Sequence, residues 1–354
     1  MPILRLDFRL RAEAPVTLPP FLGSTLRGAF GNALKKVFCF VPHETTENCW
    51  FAEACPYQYI FESKNLGNIP SYELHNMLRG QKEFPHPYVL IPPAPVPKIR
   101  LNSMQEMRPD RNFNDDFQPN RFSRGESLNF SLLLIGKAVR HWAHVLVAVR
   151  LLASNGLGED AARAPFSLTA AFAHDAKGRN LEIFSEENKR VMTQEVAPVN
   201  LAQLVGLKIE NLKDRMLSSG ENKLKIEFLT PTSQRILLQG KATGQLGFSS
   251  LIKKITERIE FLTFLHSERP QKIDYRSVLT ETEDFCLTDN SLHFYRYKQH
   301  SERQARMIQR DVFLGNISYQ GEKLKKMLPF LKAGEILSVG ADTPHGFGRF
   351  IIEV

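Results

Sequence analysis

Leu4, Leu6, Phe8 and Leu10 alternate with Arg5, Asp7, Arg9 and Arg11, a period of two that predicts a half-buried strand over residues 2–11. From Ser24 the period lengthens. Leu26, Ala29, Phe30, Ala33, Leu34 and Val37 recur at helical spacing, while Arg27, Gly31, Asn32, Lys35 and Lys36 face elsewhere. Strands are expected at 58–62 and 88–91. Residues 92–126, rich in proline and mixed charge without periodicity, read as an insertion or long mobile loop. Leu128, Phe130 and Leu132 alternate with small polar residues in a strand over 127–134. A helix over 137–153 follows, stopped by Asn155-Gly156-Leu157-Gly158, and then a strand at 166–172. The order β-α-β-β-α-β is the ferredoxin-like arrangement.

The second half repeats the theme. A strand at 224–230 leads to an amphipathic helix at 249–266 with Leu251, Ile252, Ile255, Ile259, Leu262 and Leu265 inward. Paired strands follow at 292–300 and 313–319, then a short helix at 324–331 and strands at 335–339 and 350–354. Glycine turns at Gly156-Leu157-Gly158 and Gly346-Phe347-Gly348 occupy comparable places late in each half, a faint internal repeat. The expected fold is therefore α+β, two tandem ferredoxin-like domains. The first spans 1–185 with its insertion near 92–126. Residues 186–221 connect them through a helix near 201–216, and 222–354 form the second.

Composition narrows the function classes. A length of 354 residues suits two domains with proper cores. No stretch approaches the roughly 18 apolar residues of a membrane helix, and the alternating N-terminus does not read as a signal peptide. Four cysteines in such a chain point to a reducing cytoplasm rather than a disulfide framework. A formal charge of +8 and a pI of about 9.3 favour a polyanionic partner.

The densest motif is Gly340-Ala341-Asp342-Thr343-Pro344-His345-Gly346-Phe347-Gly348-Arg349. Glycine lets backbone N–H groups approach a phosphate closely, and a run of such groups attracts anions. With the preceding Phe313-Leu-Gly-Asn-Ile-Ser-Tyr-Gln-Gly-Glu322, the early Phe21-Leu-Gly-Ser-Thr-Leu-Arg-Gly-Ala-Phe-Gly31, and the middle segment from Gly125 to Gly136, the chain resembles the CRISPR precursor-RNA-processing endoribonucleases. These belong to the repeat-associated mysterious protein (RAMP) superfamily. The resemblance implies an RNA-binding, RRM-like fold and metal-independent cleavage within CRISPR repeats, leaving a 2′,3′-cyclic phosphate and a 5′-hydroxyl without a cofactor. It also implies CRISPR repeat RNA as partner, other CRISPR-associated subunits as further partners, and a monomer or homodimer.

RNA carries its own nucleophile, the 2′-hydroxyl, so a cleaving protein needs groups that move protons and stabilise the transition state; histidine suits proton transfer. The resemblance places the catalytic histidine shortly after the first helix, where His43 lies. It pairs that histidine with a tyrosine on the helix and a nearby lysine; this chain has Phe30 and Phe38 on the helix, so Tyr57, Tyr59, Lys64 or Arg27 is the expected substitute, with Tyr57 and Lys64 taken as the catalytic partners. Arg27, Gly340, His345, Gly346, Gly348 and Arg349 are expected to hold RNA, His345 either contacting it or joining the chemistry, and Lys253, Lys254 and Arg258, off their helix's apolar stripe, to track its backbone. Two alternatives stay open: a RAMP subunit that binds repeats without cutting, and a structural subunit with a Cys₃His zinc site at Cys39, His43, Cys49 and Cys55. His141 and His144, three apart on a polar stripe, read as a solvated or RNA-facing edge.

Overall fold

A computed structural model describes residues 1–39, 49, 55–63, 84–98, 111–158, 163–175, 178–188, 190–192, 196–219, 222–241, 245–301 and 306–354. Strands β1 (Pro2–Ala12) and β2 (Val16–Leu18) precede helix α1 (Gly23–Phe38). A π-helical turn at Gln58–Glu62 is followed by β3 (Tyr88–Ile91), the single-turn α2 (Phe113–Asp116), β4 (Asn120–Phe122) and β5 (Ser127–Ile135). A 3₁₀ turn, Gly136–His141, feeds α3 (Trp142–Asn155), then β6 (Phe166–His174), β7 (Asn180–Ser185), β8 (Arg190–Val191) and β9 (Val199–Asn200). Helix α4 (Leu201–Ser219) leads to β10 (Lys223–Ser233), α5 (Phe248–His266), α6 (Tyr275–Thr280), β11 (Cys286–Ser301), β12 (Arg306–Gln320), α7 (Leu324–Leu337) and β13 (Phe350–Glu353).

Both halves share one topology. The first sheet runs β3-β5-β1-β6 and continues through β7 and β8, and the second runs β11-β12-β10-β13. Counted within each unit, both orders are 2-3-1-4 with antiparallel neighbours and helices after the first and third strands, so each half is ferredoxin-like. The alternating residues of β1 behave as patterned: Leu4, Leu6, Phe8 and Leu10 are buried against α1 and α3. Leu224, Ile226 and Phe228 of β10 do the same beneath α5 and α7.

Two further cores join the halves. Ile3, Val89, Leu133 and Ile135, on the opposite face of the first sheet, pack on Leu201 and Val205 of α4, Leu262 of α5, and Ala333 and Leu337 of α7. An aromatic cluster of Phe21, Phe113, Phe117, Tyr295, Tyr297 and Phe347 ties the segment before α1, the α2 turn, the β11 strand and the glycine loop together. The first sheet is thus covered on both faces at its β3-β5-β1 end. That fixes the angle between domains.

Three local expectations are corrected. Residues 58–62 form a π-helical turn, not a strand: Ile60 and the Phe61 ring turn inward, and Phe61 fills the notch that Gly31 leaves on α1. The turn stops at Ser63, whose backbone is left-handed (φ 49°). Residues 335–339 are not a strand, because Leu328, Leu331 and Leu337 keep the helical period and α7 runs through to Leu337. Within 92–126, the described residues are held: Lys98 and Gln118 make backbone bonds to Asp116 and Val96, and Phe113 and Phe117 are buried.

Candidate active site at the domain junction

The glycine loop leaves α7 and is closed by its own backbone. His345 N and Phe347 N both donate to the Asp342 carbonyl, at 2.8 and 3.4 Å, while Gly348 N reaches Pro231 O at 3.0 Å. Asp342, Gly346 and Gly348 all have positive φ; a side chain at Gly348 would also run into the Val339 carbonyl. The loop crosses to the other domain: the His345 carbonyl sits where a Gly23 side chain would be, and Gly346 lies against Leu90 and Pro92 at the end of β3. Gly23 opens α1, whose first turn carries neither a capping side chain nor an acidic residue, so its free N–H groups lie beside the loop.

One turn along α1, the half-buried Arg27 rests its guanidinium 4.5 Å over the Phe61 ring, and its Nε has no hydrogen-bond partner. Arg27 faces the hydroxyl of Tyr88, which is fully buried and also unpartnered; the Tyr88 ring meets Phe30 edge-on at 5.8 Å. Beside it stands His86, between Pro85 and Pro87. Its Nδ1 lies 3.0 Å from Ser63 Oγ. The Ser63 hydroxyl points its proton at the carbonyls of Tyr59 and Ile60, so His86 Nδ1–H is the donor and Nε2 carries the lone pair. Burial, reinforced by Arg27, pushes the His86 pKa down to about 3.

His266, the last residue of α5, anchors the floor. Its Nε2–H donates to Pro85 O at 2.7 Å and its Nδ1 accepts from the Tyr59 hydroxyl at 3.1 Å. Burial lowers its pKa to about 4 and raises that of Tyr59 to about 12. The charges bearing on His86 and His266 are Arg27, Arg258 and Lys137, all cationic. A junction so lined attracts an anion.

His345 faces this junction from the loop. Its side chain is 15% exposed, and its Nδ1 is 3.6 Å from Asp342 Oδ1, a carboxylate clamped by Arg310 through bonds of 2.8 and 3.1 Å. Burial, with Arg27, Arg310 and His86 nearby, holds the imidazole well below its ordinary pKa.

The structure therefore gathers Arg27, Gly346 and His345. Gly348 shapes the loop, Gly340 (φ 84°) faces open space, and Arg349 sits on its other flank near Arg5 and Glu335. Lys253 is exposed and Lys254 pairs with Glu257 at 2.7 Å. Arg258 is corrected: it is buried and donates to Leu337 O at 2.9 Å, because its guanidinium closes the C-terminus of α7 instead of facing solvent. Tyr57 is also buried, stacked on Phe61, with its hydroxyl donating to Glu62 at 2.6 Å. His43 and Lys64 lie outside the described residues, and with His43 goes the full Cys₃His set; among the described residues no His/Cys/Asp/Glu group suits a metal. His141 and His144 contact each other, Tyr59 and Phe38. Sequence reasoning missed His86, Tyr88 and His266. Each is a single residue at an element end, with no spacing to flag it.

Two ferredoxin-like domains locked by a shared core, with a glycine loop crossing between them, define a RAMP-fold protein. An N-terminal-domain family, AF_1859_N, matches residues 1–196, and the CRISPR-associated endoribonuclease Cas6 family matches residues 226–350. The chain belongs to the Cas6-type RAMP proteins. An uncharacterised protein of Archaeoglobus fulgidus is 22% identical over 338 residues, covering 95% of this chain and 92% of its own. Among solved structures, a partial Cas6-RT-Cas1–Cas2 complex superposes with a TM-score of 0.53 at 10% identity, covering 99% of this chain and 46% of that one. Thermus thermophilus Cas6 gives 0.48 at 12% identity, covering 99% and 98%. No helix among the described residues is long and apolar enough to cross a membrane.

Proposed function

We propose that this chain is an endoribonuclease that cuts CRISPR precursor RNA within its repeats, by attack of the 2′-hydroxyl on the adjacent phosphate and without a metal. The observation that carries the reading is the cationic junction where Arg27, the open N-terminus of α1 and the glycine loop meet, in a chain of Cas6 type. Arg27 and the uncapped N–H groups that open α1 hold the scissile phosphate and spread the charge of its crowded transition state. His43, following α1, takes the 2′-hydroxyl proton, with Lys64 as a candidate partner from sequence. Lys253, Lys254 and Arg349 extend the basic track.

The test is cleavage of a CRISPR repeat RNA from the same genome, in EDTA, beside a substrate with one 2′-deoxy nucleotide on the 5′ side of the cut. Cutting that survives EDTA and disappears with the deoxy substrate supports the reading. Tight binding with no cutting of either substrate defeats it and leaves a repeat-binding subunit.

A further inference from the structure

The departing 5′-oxygen needs a proton, and no tyrosine on α1 supplies one. We propose that His345 is the general acid of the cleavage reaction and that Asp342 is its positioning residue; this rests on the cleavage reading above.

Three observations converge. First, His345 Nδ1 is turned toward Asp342 Oδ1 at 3.6 Å, and Asp342 is itself fixed by two bonds from Arg310. A carboxylate on one side of an imidazole commits its Nδ1 to the protein and aims Nε2 away. The gap is longer than a hydrogen bond, as is common before substrate arrives. Second, Nε2 is the available edge. His345 Nδ1 is buried without a bond, whereas Nε2 is not among the buried unpartnered atoms, and no bond to it occurs among the described residues. Third, the imidazole is held over α1 by backbone alone: its own carbonyl against Gly23 and its N–H on Asp342 O. The groups facing it are Arg27 of α1, His86 before β3, Arg310 of β12 and Asp342 of its own loop.

Burial keeps His345 neutral in the free protein, and repulsion from Arg27 and Arg310 adds to it. A phosphodiester entering beside Arg27 cancels that repulsion, and Asp342 then favours the imidazolium. The step balances. The O2′–H proton passes to the base, O2′ bonds to phosphorus, and the P–O5′ bond breaks with its electron pair on O5′. The Nε2 proton of His345 moves to O5′. One histidine ends with a proton gained and one with a proton lost, and exchange with solvent restores both. The position carries a cost that a structural loop has no reason to bear, a histidine set beside two arginines.

The experiment uses the full chain and two repeat RNAs, one ordinary and one with sulfur replacing the bridging 5′-oxygen at the cut, since a thiolate departs without a proton. His345→Ala is expected to slow single-turnover cleavage of the ordinary RNA by about 10²–10⁴-fold and to cut the sulfur RNA within a few fold of the unaltered chain. Asp342→Asn is expected to lose roughly tenfold on the ordinary RNA, to move the alkaline limb of its pH–rate profile to lower pH, and to be rescued by the same sulfur RNA. Equal losses on both RNAs would mean misplacement or misfolding and would overturn the assignment. So would full-rate cutting of the ordinary RNA by His345→Ala, in which case the cleavage reading survives alone. If the unaltered chain cuts neither RNA, both readings fall together.

Discussion

Two glycines of the same helix make opposite predictions. Glycine in a helix interior costs roughly 1 kcal/mol relative to alanine. At Gly28 nothing lies within 4 Å of an added Cβ, so Gly28→Ala is expected to stabilise the fold by about 0.5–1 kcal/mol in urea denaturation. At Gly23 the added carbon meets the His345 carbonyl and, at 2.7 Å, the Phe21 ring. The clash outweighs the propensity, so Gly23→Ala should destabilise by on the order of 2 kcal/mol and weaken RNA binding as the loop lifts. A stabilised Gly23→Ala would show that the loop does not rest on α1. Sequence flagged both glycines only as part of a motif; their unlike roles became legible when a loop more than 300 residues later was seen to fall on one of them. His345 was legible for its glycine neighbours, whereas Tyr88 was hidden as an ordinary start to an apolar strand.

At the scale of elements, β11 and β12 form a long antiparallel hairpin paired from Cys286 with Gln320 to Ser301 with Arg306. Its outer part reaches the first domain. Arg296 N donates to Arg111 O at 2.8 Å, and Tyr295 and Tyr297 meet Phe113 edge-on at 5.8 and 5.5 Å. Phe113 is fully buried where four aromatic rings converge. Phe113→Ala is accordingly expected to cost about 3–5 kcal/mol and to open residues 111–122 to proteolysis. A loss below 1 kcal/mol would mean the hairpin does not strap the domains. Strands and helices with sustained periods were readable because burial on one face enforces the period. The 58–62 turn was not, since Tyr57-Gln-Tyr-Ile-Phe61 alternates only loosely and takes its shape from the notch at Gly31. The α2 segment misled for the opposite reason: its phenylalanines are anchored by a hairpin 180 residues away.

Across the whole molecule, acid attacks the junction. The His266 ring is fully buried and holds the first domain through Tyr59 and Pro85. Its folded pKa of about 4 lies below the unfolded value of about 6.5. The stability linked to its neutral form is complete above that unfolded value and falls as pH drops toward 4. Between pH 7 and 5 the loss from His266 amounts to roughly 2 kcal/mol. Calorimetric melting over that range should show the decline, and His266→Gln should lessen it by about that amount while His86 and His345 keep the rest; a slope unchanged by the substitution would place the acid sensitivity elsewhere. The repeat of one topology in both halves was legible in sequence, but the contact between them was not, because Ile3, Val89, Leu133 and Ile135 read as ordinary strand residues. That shared strip has a consequence for descent. Neither half can be exchanged by recombination for a foreign counterpart without baring apolar surface on both, so the two must be inherited as one unit. A change of bulk at Leu133 calls for a compensating change at a site such as Leu262 or Leu337, more than a hundred positions further along the chain.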